Sequence, residues 1–195
     1  MLSSLAEADR SELLSRTIRR RFARNETLFH AGDPGDSLHL VARGRVAVRV
    51  GTPLGDVATL TIVGPGDFFG ELALLSGHDR RTASGVALEA VETRMLTRDA
   101  FAELCHSHPA AVNVITGVLT TRVERLTGQL LEALYLPADK RVLRRLLDVV
   151  HLYERDGAGA LVSLTQEDLA SLAGTTRPTV NRVLKQAEAD GMVVV

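Results

Sequence analysis

Cys105 is the only cysteine in the chain, which excludes an intramolecular disulfide, a cysteine-rich zinc finger and a four-cysteine iron–sulfur site. An excess of either charge is also missing. The 23 Lys and Arg residues stand against 24 Asp and Glu, for a net charge of −1, so a uniformly basic nucleic-acid coat is ruled out while a local basic patch is not. With 16 glycines and 6 prolines, the composition is neither collagen-like nor low-complexity. No uninterrupted apolar run approaches the roughly 20 residues of a membrane helix, and the opening MLSSLAEADRSELL carries acids early, without the basic-then-apolar layout of a signal peptide. What is there is ordinary globular material: 195 residues, 45% apolar and 24% charged, enough for one large domain or two small ones with real cores. The expectation is a soluble, cytoplasmic, reduced protein.

Two patterns meet near residue 109. Over 26–96 the text is short apolar runs (27–29, 38–41, 46–50, 57–63 and 90–96), with Gly32-Asp33-Pro34-Gly35-Asp36, Arg43-Gly44, Gly51-Thr52-Pro53 and Gly64-Pro65-Gly66-Asp67 as turns between them. Short strands at such spacing predict an antiparallel sandwich or barrel with a jelly-roll path. Before it, 9–24 has Leu13, Leu14 and Ile18 at helical spacing, and Arg19-Arg20-Arg21 is expected to close that helix as a solvated end. Over 110–136 the period is helical: Val112, Ile115, Leu119, Leu126 and Leu130, joined by Val123 and Leu134, form one stripe between Pro109 and Pro137. A helix of that length is near 40 Å long, more than one small core covers, and predicts a dimerisation spine. After Pro137 come a helix over 140–153, a short strand over 161–164, a helix capped by Thr165 with Asp168 in its first turn and ended by Gly174, and a helix opened by Thr175-Thr176-Arg177-Pro178 and running to about Ala189. Helix, tight turn with glycine, helix is the helix-turn-helix layout. The fold class is therefore α+β, with 1–109 a jelly roll, 110–136 a dimerisation helix and 137–195 a helix-turn-helix domain.

The densest chemical text is Gly64-Pro-Gly-Asp-Phe-Phe-Gly-Glu-Leu-Ala-Leu-Leu-Ser-Gly followed by Arg81-Thr82-Ala83. Gly70 lets the backbone approach a ligand, and 71–75 can make one helical turn whose free N–H groups suit an anion. Arg81 adds a permanently charged fork suited to phosphate, and Thr82 a hydroxyl donor. A carboxylate at Glu71 repels a phosphate unless it faces something else, such as sugar hydroxyls. Phosphate on one side and ribose on the other describes a nucleotide.

At these residues the chain resembles the cyclic-nucleotide-binding domain in the form used by the Crp–Fnr family of bacterial transcription regulators, over nearly the whole of 26–192. The resemblance implies that Gly70, Leu72, Ala73 and Thr82 surround the cyclic phosphate, that Arg81 neutralises it, and that Glu71 accepts from the ribose 2′-hydroxyl. It also implies that Arg122 pairs with Glu71 and that the base, adenine in a cAMP effector, lies against Leu126 and Thr127. Thr127 keeps a hydroxyl used on the base, while Leu126 replaces a family threonine. In the helix-turn-helix, Ala170, Gly174 and Val180 take the close-packing positions, and Leu169, Leu172, Val183 and Leu184 supply core. The second helix starts at Thr176 and exposes Arg177, Thr179, Asn181, Arg182 and Lys185. With Arg177, Arg182 and Lys185 and no acid before Glu188, its charge is +3 over 175–185, a local positive face of the kind groove insertion requires. By resemblance Arg177 and Arg182 are base-reading arginines, while Pro178 stands where the family often has a glutamate. A family member would continue past 191–195 into a wing, so the wing is expected to be truncated or rudimentary.

The function this predicts is a homodimeric, ligand-gated transcription regulator. Its expected partners are a cyclic nucleotide, double-stranded DNA, a second copy and RNA polymerase, and it needs no metal, no cofactor and no membrane. The alternative is the same fold regulating without nucleotide, sensing haem through one of His30, His39, His78, His106, His108 or His151, another metabolite, or nothing. An enzyme is rejected, because Ser76, His78 and Asp79 make no nucleophile–base–orienter set.

Overall fold

The computed structural model describes residues 14–52, 55–76, 79–154 and 160–194. The chain forms two compact units, Met1–Val50 with Thr61–Glu124, and Gly51–Leu60 with Arg125–Val195.

The strands are β1 (Ile18–Phe22), β2 (Thr27–Phe29), β3 (Ser37–Arg43), β4 (Val46–Gly51), β5 (Val57–Val63), β6 (Phe68–Phe69), β7 (Ser84–Ala87) and β8 (Val91–Thr97), all in the first unit except Gly51 and the 57–60 part of β5. They make two four-stranded sheets, in the orders β1-β8-β3-β6 and β2-β7-β4-β5. Nested antiparallel pairs, first with last and second with seventh, are what a folded-over ribbon produces, and this is the jelly roll the turn spacing predicts. The two-residue period of a strand sorts the core. Leu38 and Leu40 point to the outer face of the first sheet, where they meet Phe68, Leu96, Phe101, Leu104 and Ala111. Val41 points between the sheets, with Val46, Val63, Phe69, Ala87 and Val91. Phe68 and Phe69 divide in the same way, one to each cluster. A single turn, α1 (Leu72–Leu75), follows β6, and α2 (Arg98–Ser107) follows β8 and covers the outer face.

Helix α3 (Pro109–Tyr135) is one element of 27 residues, about 40 Å long. Its apolar residues divide between two faces. Ala111, Ile115 and Val118 pack onto the outer-face cluster, so Ile115 leaves the stripe in which the sequence groups it. Val112, Val123, Leu126, Leu130 and Leu134 are exposed, Val123 and Leu134 by 63% and 65%.

In the second unit α4 (Ala138–Tyr153), α5 (Gln166–Ala173) and α6 (Arg177–Ala189) enclose Val142, Leu169, Ala170, Ala173, Val180, Val183 and Leu184. Leu172, expected in this core, is half-buried and outside the cluster. Thr165 caps α5 by the expected box: its Oγ1 accepts from the Asp168 N–H at 3.1 Å, and Asp168 Oδ2 accepts from the Thr165 N–H at 3.0 Å. Gly174 ends α5 in the left-handed region, φ 59°, which glycine adopts without strain. Arg141 ties the start of α4 to two neighbours. Nη1 donates to the Leu136 carbonyl at 2.9 Å, while Nε and Nη2 donate to those of Ala173 and Gly174 at 3.1 and 2.9 Å. Glu132 accepts from Arg144 at 2.7 Å and also from Arg145. Burial alone would raise the Glu132 carboxyl, but these two arginines outweigh it and hold it below the usual range. The hairpin tip 51–60 belongs to this unit, and Ser171 of α5 secures it. The Ser171 Oγ accepts from the Thr59 N–H at 2.9 Å, meets Thr59 Oγ1 at 2.9 Å and donates to the Val57 carbonyl at 2.8 Å.

Several local expectations change. Of the helix expected over 9–24, residues 9–13 lie outside those described, only Leu14 and Ser15 are helical, and Arg19-Arg20-Arg21 belongs to strand β1, not to a helix end. β1 pairs with β8 so that Arg19 and Arg21 both reach Glu92, and the ladder with these cross-strand ion pairs overrides the local helical spacing. The segment 161–164 forms no strand among the described residues, since an extended segment without a ladder partner is only coil. The helix end over 156–159 and His78 lie outside the described residues. Strands β6 and β7 and helix α2 have no counterpart in the sequence reading. For α2 a signal existed: Thr97 accepts from the Ala100 N–H, with Asp99 in the first turn.

Candidate functional site

Gly70 has φ +86°, and a Cβ placed there would stand 2.6 Å from Arg81 Nη1. Glycine is therefore required twice at this position, for its backbone and for its lack of a side chain. Beyond it the chain enters α1, whose first N–H groups, those of Leu72 and Ala73, have no intrahelical acceptor. Gly35 lies against the same turn, where a Cβ would come within 2.2 Å of the Ala73 Cβ. Arg98 crosses both segments, donating to the Gly35 carbonyl at 2.7 Å and the Ala73 carbonyl at 3.0 Å, and pairing with Asp79 at 2.8 Å.

Glu71 is only 2% exposed. Its Oε1 accepts from Arg122 Nη1 at 2.5 Å, Arg122 Nη2 donates to the Phe68 carbonyl, and the guanidinium stands 5.1 Å over the Phe68 ring. The other oxygen, Oε2, is buried and has no hydrogen-bond partner among the described residues. Arg81 is 5% exposed and faces inward. Nη1 donates to the Ser37 carbonyl at 2.5 Å and the Gly70 carbonyl at 3.1 Å, and Nη2 donates to Ser37 Oγ at 2.9 Å. The guanidinium carbon stands 4.1 Å over the Phe29 ring, and Asp36 is 3.6 Å away. Burial lowers the guanidinium from its usual range, with Asp36 opposing. Its Nε is buried and unpartnered among the described residues. A buried orphan costs roughly 1–3 kcal/mol. This site carries one of each kind, an acceptor at Glu71 and a donor at Arg81, and Gly70 precedes Glu71 in the chain while its carbonyl accepts from Arg81 Nη1.

The structure thus gathers Gly70, Glu71, Leu72, Ala73, Arg81, Thr82 and Arg122 in one unit, with Thr82 exposed. Leu126 and Thr127 lie one turn beyond Arg122, on the part of α3 that belongs to the second unit. Sequence reasoning misses Ser37 and Phe29, which hold Arg81 from 44 and 52 positions away. No spacing rule connects them, and only the folded sheet does.

Beneath Phe29 lies His39, 4% exposed among Phe22, Phe29 and Phe69 at ring separations of 6.3, 5.8 and 5.5 Å. Its Nδ1 meets Thr93 Oγ1 at 3.1 Å. Burial, aided by the Arg81 charge, lowers its pKa to about 4, so it is a neutral core residue at physiological pH.

The second candidate element is α6. Val180, Val183, Leu184 and Ala187 are buried, which turns Arg177, Pro178, Arg182 and Lys185 outward with Asn181 half-buried beside them. The Thr176 and Thr179 hydroxyls meet at 3.1 Å. Pro178 sits in the first turn, where a missing N–H costs nothing.

A jelly roll with this Gly-Glu-Arg-Thr cluster, followed by a helix-turn-helix, defines a class of two-domain sensors. Residues 19–108 match the family model of the cyclic nucleotide-binding domain, and residues 140–195 that of the Crp-like helix-turn-helix domain. The chain belongs to the Crp–Fnr family of transcription regulators, which are not enzymes. It is 33% identical over 166 residues to the CRP-like cAMP-activated global transcriptional regulator of Mycobacterium tuberculosis, covering 84% of this chain and 74% of that protein. To the cyclic AMP receptor protein of Thermus thermophilus it is 33% identical over 193 residues, covering 99% and 87%. The solved structure of CLP, the c-di-GMP responsive global regulator of Xanthomonas campestris, superposes with a TM-score of 0.83 over 97% of this chain and 95% of that one. At 24% identity this likeness concerns the fold alone. Among the described residues no helix is long and apolar enough to cross a membrane.

Proposed function

We propose that this chain is a homodimeric transcription regulator gated by a cyclic nucleotide, cAMP in the first instance, with 1–109 as sensor, 110–136 as spine and 137–195 as DNA-binding domain. The observation that carries the reading is the buried pair of orphans, Glu71 Oε2 and Arg81 Nε: the first is an acceptor for a ribose hydroxyl, the second a donor for a cyclic phosphate. Gly70, Leu72, Ala73 and Thr82 complete the phosphate side, Arg122 orients Glu71, and Leu126 and Thr127 meet the base. The two regulators quoted above, one named as cAMP-activated and one as a cyclic AMP receptor, support cAMP, although Leu126 removes a hydroxyl from the base side and makes cGMP the necessary comparison. The exposed stripe Val112, Val123, Leu126, Leu130 and Leu134 is the face covered by a second copy, because a continuous apolar strip of that length marks an interface. DNA lies on the α6 face through Thr176, Arg177, Thr179, Asn181, Arg182 and Lys185, and RNA polymerase is the partner at a promoter. Calorimetric titration of the chain with cAMP and with cGMP, each with and without a DNA duplex carrying two half-sites, tests this. Saturable binding of one nucleotide that tightens DNA binding is the expected result; no heat from either nucleotide defeats it.

One observation favours a second reading, a Crp–Fnr regulator that binds no nucleotide and senses haem, another metabolite or nothing. Both Nη groups of Arg81 already donate to Ser37 and Gly70, so a phosphate must share or displace protein acceptors. The same titration decides between the two.

A further inference from the structure

The polar side chains of α6 fall into two sets. Thr176 and Thr179 bond to one another at 3.1 Å, and Gln186 donates to Asp190 at 3.0 Å. Arg177, Asn181, Arg182 and Lys185 make no hydrogen bond or ion pair among the described residues. This second set is contiguous. At about 100° per residue, Asn181 stands beside Arg177 and Lys185 on neighbouring turns, with Arg182 next to it. Arg177, Arg182 and Lys185 are exposed and Asn181 is half-buried beside the buried row Val180, Val183, Leu184 and Ala187. Pro178, exposed within the strip, has neither donor nor acceptor on its side chain.

The chemistry within the strip is uneven. Arginine and lysine only donate, so Arg177, Arg182 and Lys185 suit phosphates or the two acceptors on the major-groove edge of guanine. Asn181 alone both donates and accepts. In the major groove only adenine presents an adjacent acceptor and donor, N7 and N6–H, on one purine edge, and a carboxamide meets both at once. The amide sits about 6 Å along the axis from Arg177 and one residue from Arg182, within reach of the base pairs neighbouring an arginine contact.

We propose that Asn181 is a specificity-determining residue that reads an adenine through N6 and N7, one or two base pairs from a guanine contacted by Arg182. This rests on the reading of α6 as the recognition helix. It gives each half-site a required adenine beside its guanine, a position that Pro178 is unable to specify by hydrogen bonding.

The test selects preferred duplexes from a randomised inverted repeat with the full chain, in the presence and absence of cAMP, and then measures affinity by fluorescence anisotropy. Wild type should select an adenine within two base pairs of a guanine in each half-site. Replacing that adenine by 7-deazaadenine, which lacks only the N7 acceptor, should weaken wild-type binding about fivefold or more. Asn181→Ala should bind the two duplexes equally and select no adenine at that position, with its salt dependence unchanged because no phosphate contact is lost. Alanine is a strong helix former, and circular dichroism checks that the variant folds. If Asn181→Ala keeps the adenine preference and the 7-deaza penalty, while Arg177→Ala and Arg182→Ala relax selectivity, the assignment of Asn181 is overturned and the recognition helix stands. If wild type selects no sequence under either condition, the reading of α6 falls, and the inference with it.

Discussion

Arg81 and Glu71 bear opposite charges, yet the protein holds them by different means, and their variants should behave differently. Glu71 is fixed by one partner, Arg122, at 2.5 Å, whereas Arg81 is fixed by Ser37, Gly70 and the Phe29 ring. Arg81→Ala strips a charge-assisted contact worth roughly 1.5–3 kcal/mol from a bound phosphate, so cyclic-nucleotide affinity should fall at least tenfold. It also frees the Ser37 and Gly70 acceptors, so melting temperature must be measured alongside. Glu71→Gln keeps an acceptor for a hydroxyl and should weaken binding less, with Thr82→Ala between the two. A binding titration on the three variants gives the order, and an Arg81→Ala affinity equal to wild type contradicts it.

His39 yields a prediction at the same scale. Its pKa is depressed to about 4 in the fold, by burial first and Arg81 second, against about 6.5 in an unfolded chain. A depressed folded value means that the unfolded chain takes up the proton first. The stability due to a neutral His39 is complete above pH 6.5 and is lost as pH falls from 6.5 towards 4, up to about 3 kcal/mol in all. Calorimetric unfolding between pH 7 and 4.5 should show the sensor transition moving down through that window. In His39→Gln the slope should be much reduced.

At the scale of elements, α3 and the hairpin tip are the informative pieces. The face of α3 that carries Ala111, Ile115 and Val118 is already committed to the sensor core, so charges on the other face should act on association alone. Leu119→Glu with Val123→Glu should convert a dimer to a monomer in sedimentation at micromolar concentration. The sensor transition should stay within a few degrees, since neither residue belongs to that core. A wild-type monomer would sink the spine. The hairpin tip is tied to α5 through the Ser171 hydroxyl. Ser171→Ala leaves the buried Thr59 amide without its acceptor, a loss of roughly 1–3 kcal/mol. Amide exchange at Thr59 should accelerate by about tenfold or more, with α6 amides little changed. Equal exchange in the two proteins would show the contact to be dispensable.

For the whole molecule, gating requires that nucleotide bind the DNA-competent state more tightly than the other. Linkage then makes the effect reciprocal. The factor by which nucleotide tightens DNA binding must equal the factor by which DNA tightens nucleotide binding, typically about 5–150-fold. Two titrations, one in each order, measure both factors, and a tightening in only one direction rules out a single coupled equilibrium.

Local chemistry decided much of this protein in the sequence itself. Gly174 ends α5 and the Thr165–Asp168 box begins it because caps act within a few residues. The strand over 38–41 was readable as a short apolar run between turn signals, while its division into Leu38 and Leu40 on one face and Val41 on the other came with the sheets. Gly70, Glu71, Arg81 and Thr82 were legible as a cluster because they fall within 13 residues of one another, 70–82. What the tertiary structure alone decided are the contacts that local periodicity does not encode. Arg19-Arg20-Arg21 became a strand because β8 offered a ladder and Glu92. Ile115 turned to the sensor core while Val112 did not, because only one face of α3 meets α2 and the first sheet. Ser37 and Phe29 came to hold Arg81, and Ser171 to hold Thr59, across long stretches of chain. Period and capping are properties of neighbours along the backbone, whereas the partner of a buried charge is chosen by the packing of distant elements.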